Sequence, residues 1–95
     1  NQLRLRDIHH RTKLPLVLHG GSGIGAMSLR AAVKNGIRIV NIDTELRIAF
    51  TETLRKTLRA KKTVYDPRKL LSPSIAAVAD VVESKMKILG CIKKA

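Results

Sequence analysis

The sequence predicts an α/β fold built on parallel strands. Three observations carry this reading. A short apolar run, Leu14 to Leu18, breaks into the turn Gly20-Gly21-Ser22-Gly23; a helical stretch, Ala26 to Asn35, is stopped by Asn35-Gly36; and a second β-branched run, Ile37 to Ile42, follows at once. Strand, glycine turn, helix, glycine stop and strand make one βαβ unit, whose strands pair in parallel through a right-handed crossover.

The elements follow in order. Asn1 to Lys13 mixes Leu3, Leu5 and Ile8 with many cations, which reads as a weakly amphipathic helix or a frayed remnant of one. His9 and His10 lie in it, but adjacent helix positions point about 100° apart and no third ligand is near, so the pair reads as part of a solvated basic turn. Pro15 is tolerable at the first position of a strand, and Leu14 to Leu18 has the length and hydrophobicity of a buried one. In Ala26 to Asn35 the apolar positions are Met27, Ala31 and Val33. Ser28 caps this helix if it starts late, and Gly36 takes the left-handed conformation beyond its end.

The second strand ends in Asn41-Ile42-Asp43-Thr44-Glu45. Asp43 or Thr44 caps the next helix, Glu45 to Lys61, and Glu45 suits its positive N-terminal end. Leu46, Phe50, Leu54 and Leu58 recur every fourth residue as its core stripe, and Arg59, Lys61 and Lys62 close it as a solvated basic terminus. A turn at Tyr65-Asp66-Pro67-Arg68 leads to Ser72-Pro73, read as cap and first position of a last helix. That helix carries Ile75, Val78, Ala79, Val82, Met86 and Leu89 as its apolar stripe and stops at Gly90.

Ninety-five residues make one small domain or a piece of a larger one, and at this length only about two thirds of the chain's surface is buried. The chain opens on Asn1 rather than Met, and its first segment reads like the tail of a helix, so a fragment is expected. Aliphatic side chains must carry the packing, since there is no Trp, one Tyr and one Phe. Nineteen Lys and Arg against seven Asp and Glu leave a formal charge of +12, which favours anionic partners: phosphorylated metabolites, nucleic acid or an acidic membrane. The charge is spread along the chain, without the dense basic block or the interleaved aromatics of a dedicated nucleic-acid arm. One cysteine, Cys91, forms no internal disulfide and fits a reducing cytosol. No run approaches the length of a membrane span and no signal peptide is visible, so a cytoplasmic protein is expected.

The chemistry gathers at the carboxyl ends of the two strands. Gly20, Gly21 and Gly23 accept positive φ and carry no Cβ, so their backbone N–H groups are free to close around an anion, with Ser22 adding a hydroxyl. His19 delivers an imidazole that is either a metal ligand or a hydrogen-bonded core histidine. Ligands of parallel α/β sheets bind outside the carboxyl ends of the strands, and phosphate sites in (β/α)8 barrels are frequently built from the loops after the last two strands. If the two strands are neighbours, His19 to Gly23 and Asn41 to Glu45 face one site. The physical reading is the last quarter of a TIM (β/α)8 barrel: two βα units and a C-terminal helix that present a phosphate cradle and one metal ligand.

PLVLHGGSGI, then NIDTELRIAFT, YDPRK and a closing helix closely resemble the C-terminal part of the class II, metal-dependent fructose-bisphosphate and tagatose-bisphosphate aldolases, from about Leu14 to Ala95. The resemblance implies that residues 1–95 are the C-terminal part of a single barrel domain whose upstream strands lie outside this chain. It implies that His19 is one of three histidine ligands to a catalytic zinc. Gly20, Gly21, Ser22 and the segment Asn41, Ile42, Asp43 and Thr44 would hold the phosphate end of dihydroxyacetone phosphate, with a monovalent cation beside it. Arg68 is similar to an arginine that reaches the substrate phosphate of a neighbouring subunit. The implied reaction is the reversible aldol cleavage of a ketose 1,6-bisphosphate to dihydroxyacetone phosphate and glyceraldehyde 3-phosphate, in a homo-oligomeric enzyme, with zinc as the Lewis acid.

The chain departs from the family in ways that matter. The other two zinc ligands and the aspartate proton donor belong upstream, and His9 and His10 match neither missing ligand's motif, so this chain alone should bind zinc poorly and catalyse nothing. Gly25 stands where proline is usual, and the acidic residues common at the start of the next helix are absent. Fructose and tagatose bisphosphate are not separated by these residues. Two other classes compete with the aldolase segment. A non-catalytic phosphate-binding module would tolerate His19→Ala better than Ser22→Ala; a basic nucleic-acid binder would depend steeply on salt and on the cations of Arg55 to Lys62.

Overall fold

A computed structural model describes residues 2–91. The order of elements is α1 (Gln2–Thr12), β1 (Leu16–Leu18), α2 (Ala26–Lys34), β2 (Ile37–Val40), α3 (Thr44–Ala60) and α4 (Pro67–Leu89). β1 and β2 lie side by side in a parallel two-stranded sheet, as a βαβ unit requires. Leu16 pairs with Ile37, Val17 with Ile39 and Leu18 with Val40, so one step along β1 spans two along β2 and Arg38 is the extra residue of a bulge. That residue resets the alternation of side chains. Ile37 is buried and Val40 half-buried on the side of Leu16 and Leu18, while Val17 and Ile39 are exposed together.

Both strands are shorter than the apolar runs that announce them. Leu14 and Pro15 stay outside β1: Lys13 turns the chain at φ 57, and the Leu14 N–H goes to the Thr12 hydroxyl at 3.3 Å. β2 ends at Val40, yet pairing runs on into the loops, with Asn41 N–H donating to Leu18 O at 2.9 Å and Gly21 N–H to Asn41 O at 2.8 Å. These bonds tie the two strand ends together.

Helix α2 begins immediately after Gly25, without a side-chain cap, so Ser28 lies within the helix rather than at its start. Its buried face is Leu29 and Ala32, three residues apart, while Met27 points to solvent. Asn35 and Gly36 end it as the sequence implies, Gly36 at φ 117. Any Cβ at Gly36 would strike the imidazole of His9, so α1 closes over this turn. Gln2 secures α1 to α2 through Ser28 O and the Asn35 amide, each at 3.1 Å.

Helices α3 and α4 form a hairpin. Its packing turns about Ser74, which is fully buried and donates its hydroxyl to Phe50 O at 2.8 Å. Residues on the same side of α4, namely Leu70, Ala77, Val78, Val81 and Ile88, are half-buried. The expected core stripe on α4 is thus only partly used, since Ile75, Val82 and Met86 are exposed.

The helix also starts earlier than Ser72-Pro73 suggests. Asp66 is its N-cap, accepting the Arg68 N–H, with Pro67 in the first turn and Pro73 inside the helix. Asp-Pro offers the same signal as Ser-Pro, and Ser72 turns its hydroxyl back to Arg68 O at 2.5 Å.

The fully buried apolar core among the described residues is small: Leu29, Ala32 and Ile37. The Cα radius of gyration is 17.4 Å, against about 13 Å for a compact domain of this size. No helix among the described residues is long and apolar enough to cross a membrane.

Candidate functional site

The two strand ends open into one cleft of about 430 Å³, lined by Gly20, Ser22, Gly23, Asn41, Ile42, Asp43, Thr44, Glu45 and Ile48. Parallel pairing places it there: both strands point the same way, so the loops that leave them meet on one edge. Gly20 and Gly23 turn the first loop in the left-handed region, at φ 68 and φ 79. Gly21 does something else. It is buried, and a Cβ there would lie 2.7 Å from Val40 Cγ1, so its lack of a side chain is what lets the two loops touch.

The second wall is the start of α3. Asp43 occupies its N-cap position without a side-chain cap bond, because the carboxylate turns instead to Arg47 at 2.8 Å. The Glu45 N–H is taken by the Ser22 hydroxyl at 3.1 Å, which latches the glycine turn onto the helix. The amides of Gly20, Ser22 and Thr44 donate to no partner among the described residues. Uncommitted amides from a glycine turn and a helix N-terminus, gathered at one cleft, make a ready anion site.

Glu45 binds the turn from below. One carboxylate oxygen accepts the Gly23 N–H at 2.6 Å and the other meets the Lys85 ammonium of α4 at 2.9 Å. The Gly23 hydrogen bond, and after it Lys85, hold this carboxyl below its ordinary value. The two carboxylates beside the cleft are therefore each paired with a cation, Glu45 with Lys85 and Asp43 with Arg47.

His19 stands exposed at the end of β1, its Nδ1 2.8 Å from the Asn41 amide. The orientation of that amide decides which ring nitrogen stays free. The Asn41 amide nitrogen is the atom facing Nδ1, so Nδ1 accepts and the ring proton sits on Nε2; only with the amide turned over, its oxygen facing Nδ1–H, is the Nε2 lone pair available to a ligand. No three His, Cys, Asp or Glu side chains come together among the described residues.

Of the residues singled out from sequence, the structure brings Gly20, Ser22, Asn41, Ile42, Asp43 and Thr44 into the cleft, with Gly21 behind it and His19 at its edge. Arg68 is not part of it: its side chain is 90% exposed in the first turn of α4 and pairs with Asp66 at 3.0 Å. Ile48, Lys85 and the bracing role of Glu45 are additions. Glu45 was legible only as a favourable charge at a helix start, and Lys85 carries no local signal at all.

A family model described as "Fructose-bisphosphate aldolase class-II" matches residues 1–94. The chain belongs to the class II fructose-bisphosphate aldolase family. It is 43% identical over 97 residues to the fructose-bisphosphate aldolase of Mycoplasma pneumoniae, covering 96% of this chain and 34% of that protein. It is 40% identical over 92 residues to the fructose-bisphosphate aldolase of Geobacillus stearothermophilus, covering 97% of this chain and 31% of that one. The chain thus spans about a third of the length of these relatives. In fold it is similar to the crystal structure of fructose-bisphosphate aldolase from Campylobacter jejuni, with a TM-score of 0.84 at 23% identity, over 100% of this chain and 36% of that one.

Proposed function

We propose that this chain forms the phosphate-binding end of a class II aldolase barrel and supplies one of its zinc ligands. The observation that carries the reading is the single cleft shared by the HGGSG and NIDTE strand ends, where uncommitted amides of Gly20, Ser22 and Thr44 are gathered. In this reading residues 1–95 are the C-terminal part of one (β/α)8 barrel domain, the last two βα units and a closing helix. The substrate is a ketose 1,6-bisphosphate, fructose or tagatose, cleaved reversibly to dihydroxyacetone phosphate and glyceraldehyde 3-phosphate.

Gly20, Gly21 and Ser22 on one side and Ile42, Asp43 and Thr44 on the other hold the phosphate of the dihydroxyacetone half, with a monovalent cation beside them. Asn41 fixes the orientation of His19 and holds the dihydroxyacetone unit. His19 gives one imidazole to zinc, and zinc when bound supplies the Lewis acid for the cleavage. Fixing the phosphate away from the reacting bond orients that bond at no cost to the chemistry itself. Arg68, exposed on α4, serves a neighbouring subunit of a cytoplasmic homo-oligomer.

The test is a titration of the chain with dihydroxyacetone phosphate and, separately, a fructose 1,6-bisphosphate cleavage assay with and without added zinc. Binding that Ser22→Ala weakens, together with no cleavage by the 95-residue chain alone, supports the reading. Cleavage above a metal-free blank overturns the one-ligand assignment, and no binding overturns the phosphate cradle. In the whole enzyme, activity that survives His19→Ala but not Ser22→Ala would point to a phosphate site without zinc chemistry.

A further inference from the structure

Glu45 presents a puzzle. A carboxylate at the foot of a phosphate cradle repels the ligand, yet here it takes an amide, Gly23 N–H, that could otherwise have served the anion. The geometry resolves it. Glu45 joins three elements: its N–H holds the Ser22 hydroxyl at 3.1 Å, one carboxylate oxygen holds the Gly23 N–H at 2.6 Å, and the other holds Lys85 Nζ at 2.9 Å. Lys85 comes from the far end of the helical hairpin and its side chain is only 15% exposed, so solvent screens this pair less than the other ion pairs seen among the described residues. The other side-chain ion pairs, Arg11 with Asp7, Arg47 with Asp43, Arg68 with Asp66 and Lys87 with Glu83, each have at least one partner more than half exposed.

We propose that Glu45, neutralised by Lys85, is a positioning residue that sets the conformation of the glycine turn for an incoming phosphate. The inference rests on the phosphate reading of the cleft. By accepting from Gly23 in its left-handed conformation, Glu45 fixes the turn through which Gly20, Ser22 and Gly23 line the cleft. Lys85 cancels the charge the carboxylate brings. The carboxylate then braces the cradle without opposing its ligand, and α4, which contributes no residue to the cleft, becomes necessary to phosphate affinity.

Charge and geometry separate in a set of variants. Glu45→Gln keeps an oxygen acceptor for Gly23 and removes the charge. Lys85→Met leaves the carboxylate uncompensated beside the ligand. The double variant has an acceptor and no stray charge. Dissociation constants for inorganic phosphate and for dihydroxyacetone phosphate are measured on the chain and its variants by NMR titration, with thermal unfolding alongside.

Lys85→Met should weaken binding about tenfold through like-charge repulsion. Glu45→Gln should weaken it less than about threefold, and the double variant should recover to the Glu45→Gln level although it melts lower than the parent. Glu45→Ala, which removes the acceptor, should weaken binding where Glu45→Gln does not. If affinity instead tracks melting temperature, with the double variant weakest, or if every variant binds phosphate as the parent does, the inference is overturned. A parent chain that binds neither phosphate probe overturns the phosphate reading itself, and this inference with it.

Discussion

Gly21 and Gly20 are neighbours that resist substitution for opposite reasons, and the contrast gives a quantitative prediction. At Gly21 an added methyl sits 2.7 Å from Val40 Cγ1 and 3.2 Å from both Asn41 O and Ile42 Cγ1. Carbon atoms in ordinary contact are about 3.5–4.0 Å apart, so the methyl overlaps Val40 by close to an ångström. Val40 is half-buried in the sheet and Asn41 O is backbone, which leaves separation of the strand ends as the main relief. Overpacking of this kind costs about 1–3 kcal/mol. Separation also breaks the Gly21 to Asn41 hydrogen bond, for about 0.5–1.5 kcal/mol more.

Gly21→Ala should therefore lose about 2–4 kcal/mol, a large share of the stability of a small domain. It should also weaken phosphate binding sharply, since the cleft is defined by how closely the two loops meet. Gly20→Ala meets no atom within 4 Å but sits at φ 68, so only backbone strain opposes it. That costs about 1–2 kcal/mol. Urea denaturation followed by circular dichroism gives both free energies, and titration with dihydroxyacetone phosphate gives both affinities. Equal losses at the two positions, or an unchanged affinity in Gly21→Ala, would refute the claim that close approach rather than φ is what Gly21 provides.

Leu29, the 0% exposed side chain of the small apolar core, should cost about 2–5 kcal/mol on truncation to Ala in the same urea assay. A loss below 1 kcal/mol would mean the core collapses around the gap. Pro73 lies inside α4, where proline is disfavoured by up to about 3 kcal/mol; Pro73→Ala should raise the melting temperature, and a fall would show that its ring packing outweighs the missing N–H. Glu45 titrates below its ordinary value of 4.5 in the folded chain, so the stability it contributes is complete above that value. That contribution is lost as pH falls through the lower, folded value. Carboxyl NMR shifts against pH should show the depression, Glu45→Gln should remove this part of the acid dependence of unfolding, and a Glu45 that titrates at or above 4.5 would contradict the Gly23 and Lys85 contacts.

Much of this was legible from short-range pattern. The βαβ unit follows from an apolar run, a glycine turn and an Asn-Gly stop, because each acts within a few residues. The cleft follows too, since parallel strands must present their carboxyl ends on one edge. Long-range contacts were less legible. Two rival proline signals, Asp66-Pro67 and Ser72-Pro73, lie six residues apart, and local propensity does not rank them. The structure does so by capping α4 with Asp66, which accepts the Arg68 N–H, and it anchors the helix further along through the buried bond of Ser74 to Phe50 O. The same contact rotates α4, so that Ile75, Val82 and Met86, apolar and well spaced, remain exposed. Lys85 was out of reach for the same reason: its partner is forty residues away, and only the closed hairpin brings them together.

The sheet itself bears on the barrel proposal. Leu16-Val17-Leu18 is apolar at every position, the signature of a strand covered on both faces, whereas a strand with one wet face alternates. One face of this sheet is covered, where Ile37 lies buried with half-buried Leu16, Leu18 and Val40. The other presents Val17 and Ile39, directly paired and exposed. The bulge at Arg38 creates that pairing, because without the extra residue Ile39 would share a face with Ile37. In a (β/α)8 barrel the helices lie outside and branched residues from the strands fill the interior. Val17 and Ile39 are of that kind and lie on the face opposite Ile37, so in the barrel reading the local irregularity in β2 would give this two-stranded unit an inner face as apolar as its outer one.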